Sequence, residues 1–262
     1  PSCMKWRRRG SVPNRILSAA KAPNRRTPWR GDSIWNEGTM AMEVRTFADE
    51  NSFVASVGAL IAGELASESA TPRAVMLSGG RTPLAAYKAL AQKPAPAAKN
   101  AWALFSDERM VPPDSPESNF GNAAGMLSAM DIREEHILRV RTDLPPAMAA
   151  ERYHNDLAAF FSVGGRITLG LLGIGADGHT ASLFSLADVE RGADRWAIPV
   201  ARTDGPDRVS VTAALIRRID RIVFLVSGRD KAPVVACMLN DPGRIPAGKA
   251  VEGLSRVELW RI

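Results

Sequence analysis

Ile167-Thr-Leu-Gly-Leu-Leu-Gly-Ile-Gly-Ala-Asp-Gly-His-Thr-Ala-Ser-Leu-Phe184 runs from a β-rich apolar stretch directly into a glycine-rich turn that carries an acid and a histidine two residues apart. The apolar part predicts a buried strand over 167–172. The glycines after it give the backbone the freedom to aim side chains, and Asp177 and His179 are the side chains aimed. A carboxylate beside a histidine fixes the imidazole tautomer and keeps the ring basic, the usual setting of a general base.

Outward from this stretch, short β-rich runs alternate with helical patterns. Strands are expected over 43–47, 73–77, 101–105, 209–212, 222–226 and 257–260, and helices over 51–67, 83–91, 148–161, 213–219 and 230–239. Lys93 to Lys99 reads as a surface linker. Strands separated by helix-length segments imply βαβ units, hence an α/β fold with a mainly parallel sheet and helices on both faces. In such sheets ligands bind beyond the carboxyl ends of the strands, so polar motifs at strand ends carry most of the functional information.

Two further strand ends have such motifs. Leu77-Ser-Gly-Gly-Arg-Thr-Pro83 places Gly79, Gly80, Arg81 and Thr82 between a strand and a helix. Thr82 is expected to cap the helix, Pro83 to occupy its first position, and the free amides of the helix terminus to favour phosphate. An ordinary tight turn is the plain alternative. No Gly-Lys-Ser/Thr follows and the third glycine of a dinucleotide fingerprint is missing, so neither nucleotide motif is present. Phe105-Ser-Asp-Glu-Arg109 crowds Asp107, Glu108 and Arg109 at a strand end, with Asp114, Ser118 and Asn119 read as loop. Such crowding is costly unless something polar binds, although a solvated charge cluster reads the same way. His136 and His154 are expected to be structural or exposed. Cys237, in Val-Val-Ala-Cys-Met-Leu, reads as a buried small hydrophobe.

Charge is unevenly spread. The 262 residues contain 34 Lys or Arg and 28 Asp or Glu, a net of +6, yet residues 1–41 alone carry nine basic and two acidic residues. Residues 42–262 therefore net −1, which disfavours nucleic acid as a partner of the body. Residues 1–41 have no helical or strand period and are expected to form a disordered basic extension ahead of a single α/β catalytic domain over 42–262. An upstream start, a transit peptide and a basic arm that touches nucleic acid or anionic membrane are three readings of it. The apolar runs fall short of the roughly 18 residues a membrane helix needs. Two cysteines offer no disulfide framework and suit a reducing, cytoplasmic compartment.

Together the three strand-end motifs resemble the 6-phosphogluconolactonase family, within the larger group that includes glucosamine-6-phosphate deaminase. The resemblance extends to Arg208-Val-Ser-Val-Thr212 and Val226-Ser-Gly-Arg-Asp-Lys-Ala232, and so covers essentially all of 42–262. It implies a Rossmann-like three-layer α/β sandwich that hydrolyses 6-phosphoglucono-1,5-lactone to 6-phosphogluconate in the pentose phosphate pathway, without metal or cofactor. Carried over by position, His179 is the general base, Asp177 fixes its setting, and Asp107 and Arg109 line the site. Gly79, Gly80, Arg81 and Thr82 hold the phosphate with Arg208 and Lys231. The chain departs from the family pattern at Ser185, where Pro is usual, and at Ser210, where Thr is common; both put loop geometry in question. The deaminases follow the shared Asp-Gly-His with Ile-Ala-Phe-Asn-Glu, whereas this chain has Thr180-Ala-Ser-Leu-Phe184, which points to lactone hydrolysis. A sugar-phosphate deaminase and a non-catalytic sugar-phosphate sensor are the competing readings.

Overall fold

A computed structural model describes residues 42–262; the expectation for 1–41 lies outside the described residues. The elements in chain order are β1 (Glu43–Thr46), α1 (Glu50–Leu65), β2 (Arg73–Leu77), α2 (Arg81–Gln92), β3 (Ala101–Phe105), β4 (Asp107–Arg109), α3 (Asn119–Ala129), β5 (Ile137–Leu138) and α4 (Pro146–Ser162). They continue with β6 (Arg166–Gly173), α5 (Leu186–Glu190), β7 (Ala197–Val200), β8 (Arg208–Val211), α6 (Ala213–Ile216), β9 (Ile222–Val226), α7 (Ala232–Asn240), α8 (Pro246–Ala250) and β10 (Val257–Arg261).

Seven strands form one sheet in the order β1-β10-β9-β6-β2-β3-β5, and every neighbouring pair is parallel. Side chains of a strand point alternately to its two faces, and the core divides accordingly. Ala74 and Met76 of β2 pack with α4, α6, α7 and α8, while Val75 and Leu77 pack with α1, α2 and α3. Helices therefore cover both faces, giving the three-layer α/β sandwich that the alternation of elements predicts. Buried Leu, Ile, Phe and Val side chains of this kind contribute about 1.5–3 kcal/mol each.

The strand expected at 209–212 is present as β8 but does not join the large sheet. It pairs antiparallel with β4 and β7 in a separate three-stranded sheet. A run of four residues identifies a strand without identifying its neighbours; β4 is only three charged residues long, and β7 is interrupted by Pro199. Cys237 is half-buried rather than buried, because α7 turns Val234, Val235 and Met238 inward and leaves Cys237 at the margin.

The strand order places the chain reversal between β6 and β2. From β2 the chain proceeds outward through β3 to β5, then returns to the other side of β2 as β6 and continues through β9 to β10. Crevices at such a reversal are where open α/β sheets hold ligands. The segments 78–82 and 174–185 leave the two strands that flank it.

Candidate functional site

The turn after β6 is built around Gly175. Its amide donates to the His179 carbonyl at 2.9 Å, and the Gly178 amide donates to the Gly175 carbonyl at 3.0 Å. This folds the loop back so that His179 Nδ1 lies 2.6 Å from Asp177 Oδ1, with the His179 amide also donating to that oxygen at 3.2 Å. A Cβ at Gly175 would fall 2.1 Å from His179 Nδ1 and 2.4 Å from Asp177 Oδ1, so the pair exists because position 175 has no side chain. Gly178, at φ +87°, takes the left-handed conformation and packs on Ile245, and its carbonyl accepts from Ala247 of α8 at 2.9 Å. Ala181 adopts φ +48°, a strained conformation of the kind that concentrates at functional sites.

Burial pushes the Asp177 carboxyl up, but the hydrogen bonds and charge of His179 together outweigh it and hold the group below its ordinary value. The ionised carboxylate is thus the form present near neutrality. With Nδ1 engaged by Asp177, Nε2 is the ring nitrogen left to act. The ring rests on Phe184 at 4.7 Å between centroids, and the Arg202 guanidinium covers the Phe184 ring at 3.9 Å.

The turn after β2 differs from the expectation in one respect. Helix α2 starts at Arg81 with Gly80 as its cap at φ +112°, so Thr82 is its second residue and Pro83 its third. The left-handed conformation open to glycine brings the chain into the helix earlier than the Thr-Pro pattern implied. Thr82 is therefore not the cap; its hydroxyl lies 2.9 Å from Ser227 Oγ and ties this turn to the loop after β9. Lys231 ends a short 3₁₀ turn in that same loop and is half-buried.

Asp107 and Glu108 each have partners in the α3 segment. Glu108 accepts from the amides of Arg109, Asn119 and Phe120, each at 2.8 Å, and from Ser118 Oγ at 3.1 Å. It thereby anchors the first turn of α3, where a carboxylate complements the helix dipole. Burial raises its pKa, against the opposing pull of these amides. Asp107 is 7% exposed and accepts from Ser106 Oγ at 3.0 Å, Asn119 Nδ2 at 3.3 Å and Ser182 Oγ at 2.7 Å. Through Ser182 it holds the loop that carries His179. Ser210 accepts the Ser182 amide at 3.1 Å, so the hydroxyl this chain retains there does that linking work. Ser185 caps α5 in a reciprocal box with Asp188.

Arg109 and Arg208 face each other across the antiparallel β4–β8 ladder. Each has a buried Nε without a partner among the described residues, and burial followed by the Arg109 charge lowers the pKa of Arg208. Like charges placed directly opposite repel, so the pair is suited to receive an anion. A cavity of about 190 Å³ is lined by Ser78, Gly79, Gly80, Arg81, Arg109 and Asn119 among others. His179, Asp177, Arg208 and Lys231 are not among its lining residues. The two tyrosines of the chain fix the ends of β2 and β3, and Tyr87 also lines the cavity. Tyr87 Oη accepts from the Ser78 amide and donates to the Ser78 carbonyl at 3.2 and 2.9 Å, and Tyr153 does the same for Phe105 at 3.0 and 2.7 Å.

His136 stacks on Trp102 at 4.3 Å and reaches the Ala101 carbonyl at 3.1 Å, while His154 accepts the Trp196 amide at 3.0 Å. Both are structural. Among the described residues no three His, Cys, Asp or Glu side chains converge as metal ligands do, and no helix is long and apolar enough to cross a membrane.

The family model of glucosamine-6-phosphate isomerases/6-phosphogluconolactonase matches residues 48–258. The chain belongs to this family. Within it, the chain is 35% identical over 196 residues to the 6-phosphogluconolactonase of Haemophilus influenzae, covering 72% of this chain and 84% of that one. It is 32% identical over 221 residues to the 6-phosphogluconolactonase of Homo sapiens, covering 79% and 85%. The crystal structure of 6-phosphogluconolactonase from Thermotoga maritima superposes with a TM-score of 0.71 at 28% identity, covering 84% of this chain and 99% of that one. All of the strand-end loops described above lie inside the segment matched by the family.

Proposed function

We propose that this chain hydrolyses 6-phosphoglucono-1,5-lactone to 6-phosphogluconate with His179 as general base, folded as a single catalytic domain over 42–262. The observation that carries the reading is the 2.6 Å His179–Asp177 contact, which commits Nδ1–H to the carboxylate and leaves Nε2 as the acceptor for a proton. Nε2 takes a proton from water as the oxygen of that water bonds to the lactone carbonyl carbon. The carbonyl oxygen becomes an oxyanion, and the Arg109 guanidinium stabilises it. Collapse of the tetrahedral intermediate breaks the bond between that carbon and the ring oxygen. The ring oxygen leaves with the proton from His179, so the imidazole returns neutral and a carboxylic acid is released. Asp177 orients the base. Asp107, whose carboxylate is occupied by Ser106, Asn119 and Ser182, positions the His179 loop and does not itself react.

The phosphate is held by the turn of Gly79, Gly80, Arg81 and Thr82 at the start of α2, with Arg208 and Lys231 as cationic donors. Support comes from the unpartnered Arg208 Nε and from the Thr82–Ser227 link that draws the loop of Lys231 to this turn. The segment Thr180–Phe184 carries no carboxylate, which favours lactone hydrolysis over the deaminase chemistry of the wider family. Purified full-length chain is expected to accelerate lactone loss above the spontaneous rate and to release no ammonia from glucosamine 6-phosphate; the reverse pattern overturns the reading. A cytoplasmic location is part of this proposal.

A further inference from the structure

Three polar side-chain atoms at the cavity beyond β2 are buried without a hydrogen-bond partner among the described residues: Ser78 Oγ, Asn119 Oδ1 and Arg109 Nε. Ser78 is 5% exposed and Asn119 3%. Buried polar groups are seldom left this way, and each exception calls for an explanation.

The orientation of Asn119 makes the set informative. Its Nδ2 donates to the Asp107 carbonyl at 2.8 Å and reaches Asp107 Oδ1 at 3.3 Å. A carbonyl and a carboxylate only accept, so the nitrogen must face them and the oxygen must face the other way. That oxygen sits over Gly79, 2.2 Å from where a Cβ would be, and the bare glycine lets it approach. Asn119 therefore offers the site an acceptor with no donor of its own. The oxygens of an ionised phosphate ester, acceptors too, are repelled there, whereas an alcohol O–H is bound. Ser78 Oγ can donate or accept, and Arg109 Nε donates. One acceptor, one hydroxyl and one donor complement alcohol groups, which themselves both donate and accept.

We infer that Ser78 and Asn119 form a hydroxyl-reading subsite that binds the polyol part of the sugar rather than its phosphate. The inference rests on the sugar-phosphate lactonase reading and adds two residues to it as determinants of specificity.

The test is calorimetric titration of the full chain with 6-phosphogluconate, which has both hydroxyls and phosphate, and with inorganic phosphate, which has no carbon-bound hydroxyl. Ser78→Ala removes an atom bonded to nothing in the protein, so its melting temperature holds or rises. It weakens 6-phosphogluconate binding by about tenfold and leaves phosphate affinity within about twofold. Asn119→Ala shows the same selective loss together with a lower melting temperature, because Asp107 loses a donor. Equal losses for both ligands, or no loss for either, overturn the inference. Wild type that binds 6-phosphogluconate selectively yet turns over no lactone overturns the functional reading and leaves the subsite standing; wild type that binds neither ligand overturns both.

Discussion

Replacing Gly175 by alanine separates the His179–Asp177 geometry from the stability of the fold. Gly175 is outside the left-handed region, so its backbone accepts alanine without strain. The new methyl would lie 2.1 Å from His179 Nδ1, against 3.4 Å for the near edge of ordinary contact, so the ring must retreat by about 1.3 Å. The three nearest atoms belong to the half-buried His179 and exposed Asp177 side chains rather than to the backbone, so the strain can be relieved by moving side chains. Folding should therefore be little affected, with a melting temperature within about 3 °C of wild type. Catalysis should suffer, since a misplacement of about 1 Å costs on the order of 10²-fold, or roughly 2.7 kcal/mol in the barrier. Initial rates of lactone loss, corrected for spontaneous hydrolysis, are expected to show kcat down about 100-fold with KM changed by less than about threefold. A variant with kcat within about twofold of wild type refutes the requirement for the 2.6 Å pair.

Two further predictions concern the scaffold. Tyr87→Phe leaves both the amide and the carbonyl of buried Ser78 unpaired, and is expected to cost about 1–3 kcal/mol in urea denaturation. Glu258, whose carboxylate receives Arg221 Nε and one terminal nitrogen at 2.6 and 2.9 Å, has a pKa that burial raises but that Arg221 and Trp260 together bring below its ordinary 4.5. A depressed carboxylate contributes stability above its unfolded-state value and loses it as pH falls through its folded-state value. Glu258→Gln should thus be destabilised at pH 7 by about 2 kcal/mol, with the gap to wild type closing as pH falls below 4.5; parallel denaturation curves at pH 7 and 3.5 decide this.

The large sheet was legible because its strands are apolar runs bounded by turns. Arg73–Leu77, Ala101–Phe105 and Ile222–Val226 begin and end where the pattern places them. Helix α3 was not legible: Asn119–Ala129 is poor in large apolar residues, and what fixes its start is Glu108, a carboxylate ten residues before its Ser118 cap. The three-stranded sheet was hidden apart from β8, since β4 pairs with a strand about 100 residues further on and β7, although close to β8 in the chain, has no strand pattern of its own. At the site, the Asp177–His179 spacing announced a hydrogen bond that the structure contains. The role of Ser182 depends on long-range approach, and those of Tyr87 and Asn119 on turns that return them to Ser78 and Asp107, 9 and 12 residues earlier; no motif in the chain encodes them. Pairing of Asp107 with Ser182 spans 75 residues and turns an apparent site carboxylate into a brace between loops.

Lactone loss by wild type and His179→Ala at pH 7 shows whether His179 supplies the base for lactone hydrolysis. If His179 is the base, wild type hydrolyses the lactone well above the spontaneous rate, and His179→Ala falls by about 10²- to 10⁴-fold toward that background with circular dichroism unchanged. A folded His179→Ala protein that hydrolyses the lactone as fast as wild type contradicts it.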